Sequence, residues 1–216
     1  MNPGVRRWGL SGYPLVFASI VVSYAFTAAQ SSPLPSTIAL AAQLVTVAAV
    51  LHAAGAAKKA QRLCIVILGV ALLAIIGSLL LGPFGEVILF GLAFGATGAY
   101  GFAVGVIFLS EARRRLIDAR TLFAVICAYL LIGMFFTYLY SAIALTGGSI
   151  FGDTQPEHLA DLLFFSFTTL TTTGYGNLVP AAAGPQSVAI AEAITGQLFL
   201  VTAVARVVTG WNPKPR

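Results

Sequence analysis

The chain has 216 residues, of which 58% are hydrophobic and 9% charged, with a mean hydropathy of +0.93 and a net charge of +5. A soluble domain carries roughly 25% charged residues. This chain has too little polar surface to cover a water-soluble globule, so lipid must be the solvent for much of it. Its Lys and Arg residues sit in short connections and at the termini, apart from Arg206. They form no extended basic face with interleaved aromatics, which argues against nucleic acid as a partner.

A spanning helix needs about 20 mostly apolar residues. Such runs occur at Tyr13–Ala29, Ser36–Ala56, Leu63–Leu81, Glu86–Leu109, Thr121–Leu145 and Gly184–Thr209. The first run, preceded by Arg6-Arg7 and ending in Thr27-Ala28-Ala29, also has the outline of a secretory signal. We read it as a retained span. Cys64 and Cys127 lie inside apolar runs and read as small buried hydrophobes, with no disulfide or metal-ligand spacing.

The connections alternate in charge. Lys58, Lys59 and Arg62 follow the second span, and Arg113, Arg114, Arg115 and Arg120 follow the fourth; Lys214 and Arg216 close the chain. The intervening connections, Gln30–Pro35, Gly82–Gly85 and Thr146–Ala183, hold no Lys or Arg. Six spans with both termini cytoplasmic satisfy the positive-inside rule, whereas an odd count breaks it. The expected fold is therefore all-α: a polytopic membrane protein with six transmembrane helices.

The fourth span, where a voltage sensor would carry a basic residue at every third position, has no Arg or Lys between Val87 and Ser110. It is instead glycine-rich. Gly91-x-x-x-Gly95 and Gly101-x-x-x-Gly105 would let another helix approach closely. Opening is expected to depend weakly or not at all on voltage.

Between the fifth and sixth spans, His158–Leu170 is apolar but too short to cross. It reads as a re-entrant helix, with Thr154-Gln-Pro-Glu157 as a capping box and Pro156 in its first turn. Its C-terminal end would aim the negative pole of the helix dipole at a central cavity. Thr172-Thr173-Gly174-Tyr175-Gly176 follows directly. Four extended strands, one per subunit, could point successive carbonyls at a shared axis and replace an ion's hydration shell. Gly174 and Gly176 suit the left-handed backbone that this requires.

On these residues the segment from Thr121 to about Trp211 resembles the potassium-channel superfamily, as a small prokaryotic-type pore-loop subunit without a charged sensor helix. The resemblance implies a homotetramer and K+ ligands from the carbonyls of Thr172, Thr173, Gly174 and Tyr175, plus the Thr172 hydroxyl. It also implies a Tyr175 ring that points away from the axis as a brace. Residues 1–112 would form a four-span peripheral bundle, 113–120 a cytoplasmic basic linker and 121–216 the pore domain.

The sequence departs from the family pattern behind the filter. Asn177 stands where most relatives have Asp, Thr173 replaces Val, Phe164 and Phe165 occupy positions of a Trp pair, and Thr168 falls where some have Glu. Phenylalanine has no donor, so a packed brace is expected, with Thr168 to Asn177 as a candidate substitute hydrogen bond. Gly196, 19 residues after Asn177, matches the spacing of an inner-helix hinge, although a packing glycine fits as well. Glu192, deep in the last span, needs a partner or a wet cavity. It is expected to hydrogen-bond the Thr-rich pore helix or to serve a proton-sensitive gate. Arg206 reads as snorkelling to headgroups.

The expected activity is passive K+ conduction across the cell membrane, with no catalytic constellation, no cofactor and membrane lipid as the other partner. The tail after Trp211 leaves no room for a cytoplasmic ligand-binding domain. Alternatives are a weakly selective cation channel, a secondary transporter and a non-conducting accessory subunit. A transporter would predict interrupted helices in both halves, and only one half has such a break.

Overall fold

The computed structural model describes residues 12–32, 34–54, 69, 83–112, 119–146, 149–152 and 157–210. Among them the chain is all-helical: α1 (Tyr13–Ala28), α2 (Thr37–Ala53), α3 (Pro83–Ala112), α4 (Ala119–Leu145), α5 (Leu159–Leu170) and α6 (Ala183–Gly210). The third expected span apart from residue 69, the Arg113–Arg115 cluster, Cys64, Thr154, Pro156 and both basic termini lie outside the described residues.

Helix ends follow local chemistry. Pro14 sits in the first turn of α1, where its missing N–H is harmless. The Ser36 hydroxyl caps α2 by accepting the N–H of Ala39 at 3.3 Å. Arg120–Leu145 and Ala183–Arg206 are long and apolar enough to cross a membrane, by length and composition. The 16 residues of α1 and the 17 of α2 are apolar but shorter, about 24–26 Å at the usual rise. At 12 residues, α5 reaches only about 18 Å.

α3 packs on α4, α1 on α2, and α1 also reaches α4 and α5. α5 is held between α4 and α6. One continuous core joins the outer and inner halves, running from Val16 and Ile20 through Tyr100 and Leu131 to Leu159 and Leu162. Cys127 is buried and free within it. Of the α3 glycines, Gly101 is in close contact: the Phe135 ring of α4 lies where a Cβ would come within 3.1 Å. Gly91, Gly95, Gly98 and Gly105 face open space, so the expected glycine-stripe contact narrows to a single position among the described residues.

Two hydroxyl pairs cross the outer half. Ser23 and Tyr100 share a hydrogen bond of 2.8 Å, and Thr27 and Tyr138 one of 2.9 Å; the two tyrosine rings stack at 5.7 Å. On the opposite side, the Arg120 guanidinium donates to the Ala53 carbonyl at 2.8 Å and lies over the Tyr13 ring. It thereby satisfies a carbonyl at the C-terminal end of α2, where a cation is favoured. The charge-free run of α3 thus lies in a bundle joined internally by neutral hydroxyls.

Candidate functional site

α5 is seated by contacts at both ends. At its start the N–H of Leu159 donates to the Ser32 carbonyl at 3.1 Å, and the His158 ring Nδ1 lies 2.7 Å from the Ser31 carbonyl. Both carbonyls belong to the α1–α2 connection. The expected capping box is corrected here. The helix begins at Leu159, so Glu157 precedes its N-cap instead of standing in its first turn. Its carboxylate accepts the N–H groups of Ile150 and Phe151, at 2.6 and 3.2 Å, and ties down the loop before the helix. Asp161 is the acid in the first turn, where the helix dipole favours it.

At the other end the chain turns abruptly. The N–H of Thr172 donates to the Thr169 carbonyl, and those of Thr173 and Gly174 both donate to the Thr168 carbonyl. These bonds consume donors and leave the following carbonyls outside the helix. Thr172, Gly174 and Gly176 have φ of 55°, 53° and 80°, whereas Thr173 and Tyr175 between them keep negative φ. Alternating backbone hand turns successive peptide planes so that their carbonyls face one side, instead of alternating as in a strand. Glycine accepts this freely, but a β-branched residue at positive φ is strained by about 1–3 kcal/mol. The glycines were legible beforehand; the left-handed Thr172 was not.

The side chains around this segment are polar and uncharged. Thr171 and Thr173 hydroxyls are 2.8 Å apart, and the Thr172 hydroxyl donates to the Thr171 carbonyl at 2.7 Å. The Tyr175 ring stacks on Phe164 at 5.6 Å with 18° between the planes. A phenylalanine therefore supports this tyrosine through ring packing. Phe165 lies apart from that pair, edge-on to Tyr140 and Phe151. The Thr168 hydroxyl donates to the Phe165 carbonyl at 3.0 Å, so the substitute bond to Asn177 is not the one formed. A helical threonine readily turns its single proton back on its own helix, and this one does.

Glu192 is fully buried on α6. Its carboxylate lies 2.6 Å from the Ser166 hydroxyl of α5 and accepts the Tyr140 hydroxyl of α4 at 2.8 Å. The Ser166 oxygen is also 2.8 Å from the Gly133 carbonyl. One acid thus joins three helices within a single chain. The expected pore-helix partner is a serine, and Tyr140 went unanticipated because it comes 52 residues earlier.

Gly196 touches the end of α5. A Cβ there would lie 2.5 Å from the Leu170 carbonyl oxygen, closer than real side chains approach backbone. α6 runs unbroken through this glycine, whose observed role is close packing. The Leu170 carbonyl also accepts the Tyr129 hydroxyl at 3.2 Å, and the Tyr129 ring stacks on Phe199 of α6. Next to the glycine, the Gln197 amide donates to the Thr172 hydroxyl oxygen at 3.1 Å. Residues 171–177 are exposed in the single chain, as is most of α6.

Residues 124–210 match a family model described as an ion channel. That stretch is ion-channel-like. The match takes in most of α4, all of α5, the turn with alternating hand and the whole of α6, and leaves α1–α3 outside. Together with the two long apolar helices it supports a membrane protein. No curated protein and no solved structure matched the chain.

Proposed function

We propose that the chain is one subunit of a homotetrameric, K+-selective channel in the cell membrane. It would cross six times with both termini cytoplasmic, and would not open through a charged sensor helix. The observation that carries this reading is the alternating backbone hand at Thr172, Gly174 and Gly176, immediately after a helix of half-spanning length.

The physics is that of exchange. K+ sheds its water only where oxygens of matching number and spacing replace it. Four copies of Thr172–Tyr175 around an axis would supply stacked rings of carbonyls. The C-terminal end of α5, the negative pole of its dipole, would lower the energy of a cation in the cavity below. Half-crossing backbone is tolerated at membrane depth only when protein or a water-filled cavity surrounds it, and that is the setting proposed here. Exposure of α6 and of residues 171–177 in one chain fits a surface completed by further copies.

A weakly selective cation channel is the second reading. It is favoured by the Thr168 hydroxyl's bond to its own helix, which leaves the ring stack on Tyr175 as the main support behind the filter. Reconstitution of the full chain into planar bilayers tests both. The K+ reading expects reversal potentials near the K+ equilibrium value in mixed K+ and Na+. Potentials near zero would favour the second reading, and a silent bilayer would defeat both. A conductance that varies steeply with voltage in symmetric K+ would refute the sensor-free gate.

A further inference from the structure

The end of α5, the start of the filter segment and the middle of α6 meet at one place, and their contacts form a chain with a direction. Gly196 brings α6 against the Leu170 carbonyl because it has no Cβ. That approach sets the height and distance of the next residue. Gln197 then reaches the Thr172 hydroxyl oxygen with its amide nitrogen, at 3.1 Å. The Thr172 proton is already directed to the Thr171 carbonyl at 2.7 Å. A hydroxyl has one proton and two lone pairs. Here the proton is used and one lone pair accepts Gln197, which leaves one lone pair for an ion.

We propose that Gln197 is a positioning and specificity-determining residue for the innermost cation site: it fixes the rotamer of the Thr172 hydroxyl so that its remaining lone pair serves as an ion ligand. This rests on the filter reading given above. The geometry supplies the reason for such a device. Thr172 is the non-glycine residue with left-handed backbone among the described residues. Its side chain therefore leaves the chain in a direction that neighbours in ordinary backbone do not restrain. A threonine hydroxyl without a second partner would rotate between rotamers, and a ligand that rotates cannot discriminate between cations of different radius. Gln197 provides the restraint from outside the filter, on the helix that lines the proposed pore. It does so with a neutral amide, which adds a dipole without a charge that would trap a cation. Because Gln197 rides on α6, movement of that helix away from Leu170 would release the hydroxyl and couple the inner helix to the filter.

The test uses Ba2+, which is close to K+ in size and doubly charged, as the probe of the innermost site in bilayers containing the full-length channel. Gln197→Leu is expected to raise the half-blocking Ba2+ concentration by about tenfold, the scale of a single hydrogen bond summed over the four subunits, and to lower the K+/Na+ permeability ratio. Thr172→Val should weaken block by itself, and adding Gln197→Leu to it should change nothing further. Thr172→Ser keeps the hydroxyl, so Gln197→Leu should have its full effect there even if the valine variant is silent. If Gln197→Leu does not assemble on size exclusion, Gln197→Met, of similar length, carries the same expectation. Wild-type block and permeability ratio in the Gln197 variant, or an equal shift with and without the Thr172 hydroxyl, would overturn the proposal. A wild-type chain that fails to select K+ over Na+ would defeat the filter reading instead, before any variant is read.

Discussion

The outer helices and the pore-like segment handle polar groups in opposite ways. In the outer half, Ser23 with Tyr100 and Thr27 with Tyr138 pair inside the bundle. Around the turn after α5, threonine hydroxyls, carbonyls and the Gln197 amide stand on an exposed face. α4 is largely buried by its own chain, whereas α6 is scarcely buried at all. The hydroxyls of the first group find partners inside the chain, and the face that carries the second is left open. The difference teaches where to look for each property: stability within the chain, and function at the exposed face that the proposed tetramer would cover.

Substitutions can break or sharpen that contrast. The largest effect is expected at Gly196, where alanine would force a Cβ into the Leu170 carbonyl. Backbone must move, so about 3 kcal/mol or more should be lost and the proposed tetramer should dissociate in detergent, as read by thermal melting and size exclusion. Next is Glu192→Leu, which strands the buried Tyr140 hydroxyl, leaves Ser166 only the Gly133 carbonyl, and should cost about 1–3 kcal/mol. Glu192→Gln keeps an acceptor oxygen and should retain most of that stability. Equal melting losses in the two variants would mean that charge, not hydrogen bonding, joins the three helices.

Smaller effects separate the halves. Tyr100→Phe removes the partner of Ser23 and should cost about 1 kcal/mol in melting while leaving ion selectivity unchanged. Phe164→Ala should do the reverse. Loss of its stack on Tyr175 is worth about 0.5–1.5 kcal/mol, too little to unfold the chain but enough to speed inactivation in bilayer recordings. Normal inactivation in Phe164→Ala, or altered selectivity in Tyr100→Phe, would erase the division.

What the sequence disclosed depended on range. Apolar runs are local, so the expected spans over Tyr13–Ala29, Thr121–Leu145 and Gly184–Thr209 end within a residue or two of α1, α4 and α6. The short helix over Leu159–Leu170 and the two left-handed glycines after it were legible for the same reason. Partners distant in sequence were not. Glu192 announced that it needed a partner, but nothing local named Tyr140. Gln197 gave no signal at all, because its meaning depends on how closely Gly196 lets α6 approach. Thr168 misled because its residue type suggested a bond across to Asn177, and its own helix offered a nearer carbonyl.

The grip of the α1–α2 connection on the start of α5 has a consequence for how the protein is made. Ser31 and Ser32 leave the ribosome well over a hundred residues before His158 and Leu159, which they later contact. Chains fold from the N-terminus during synthesis. The receptor for the short helix α5 is thus laid down early, and that helix finds its berth already built.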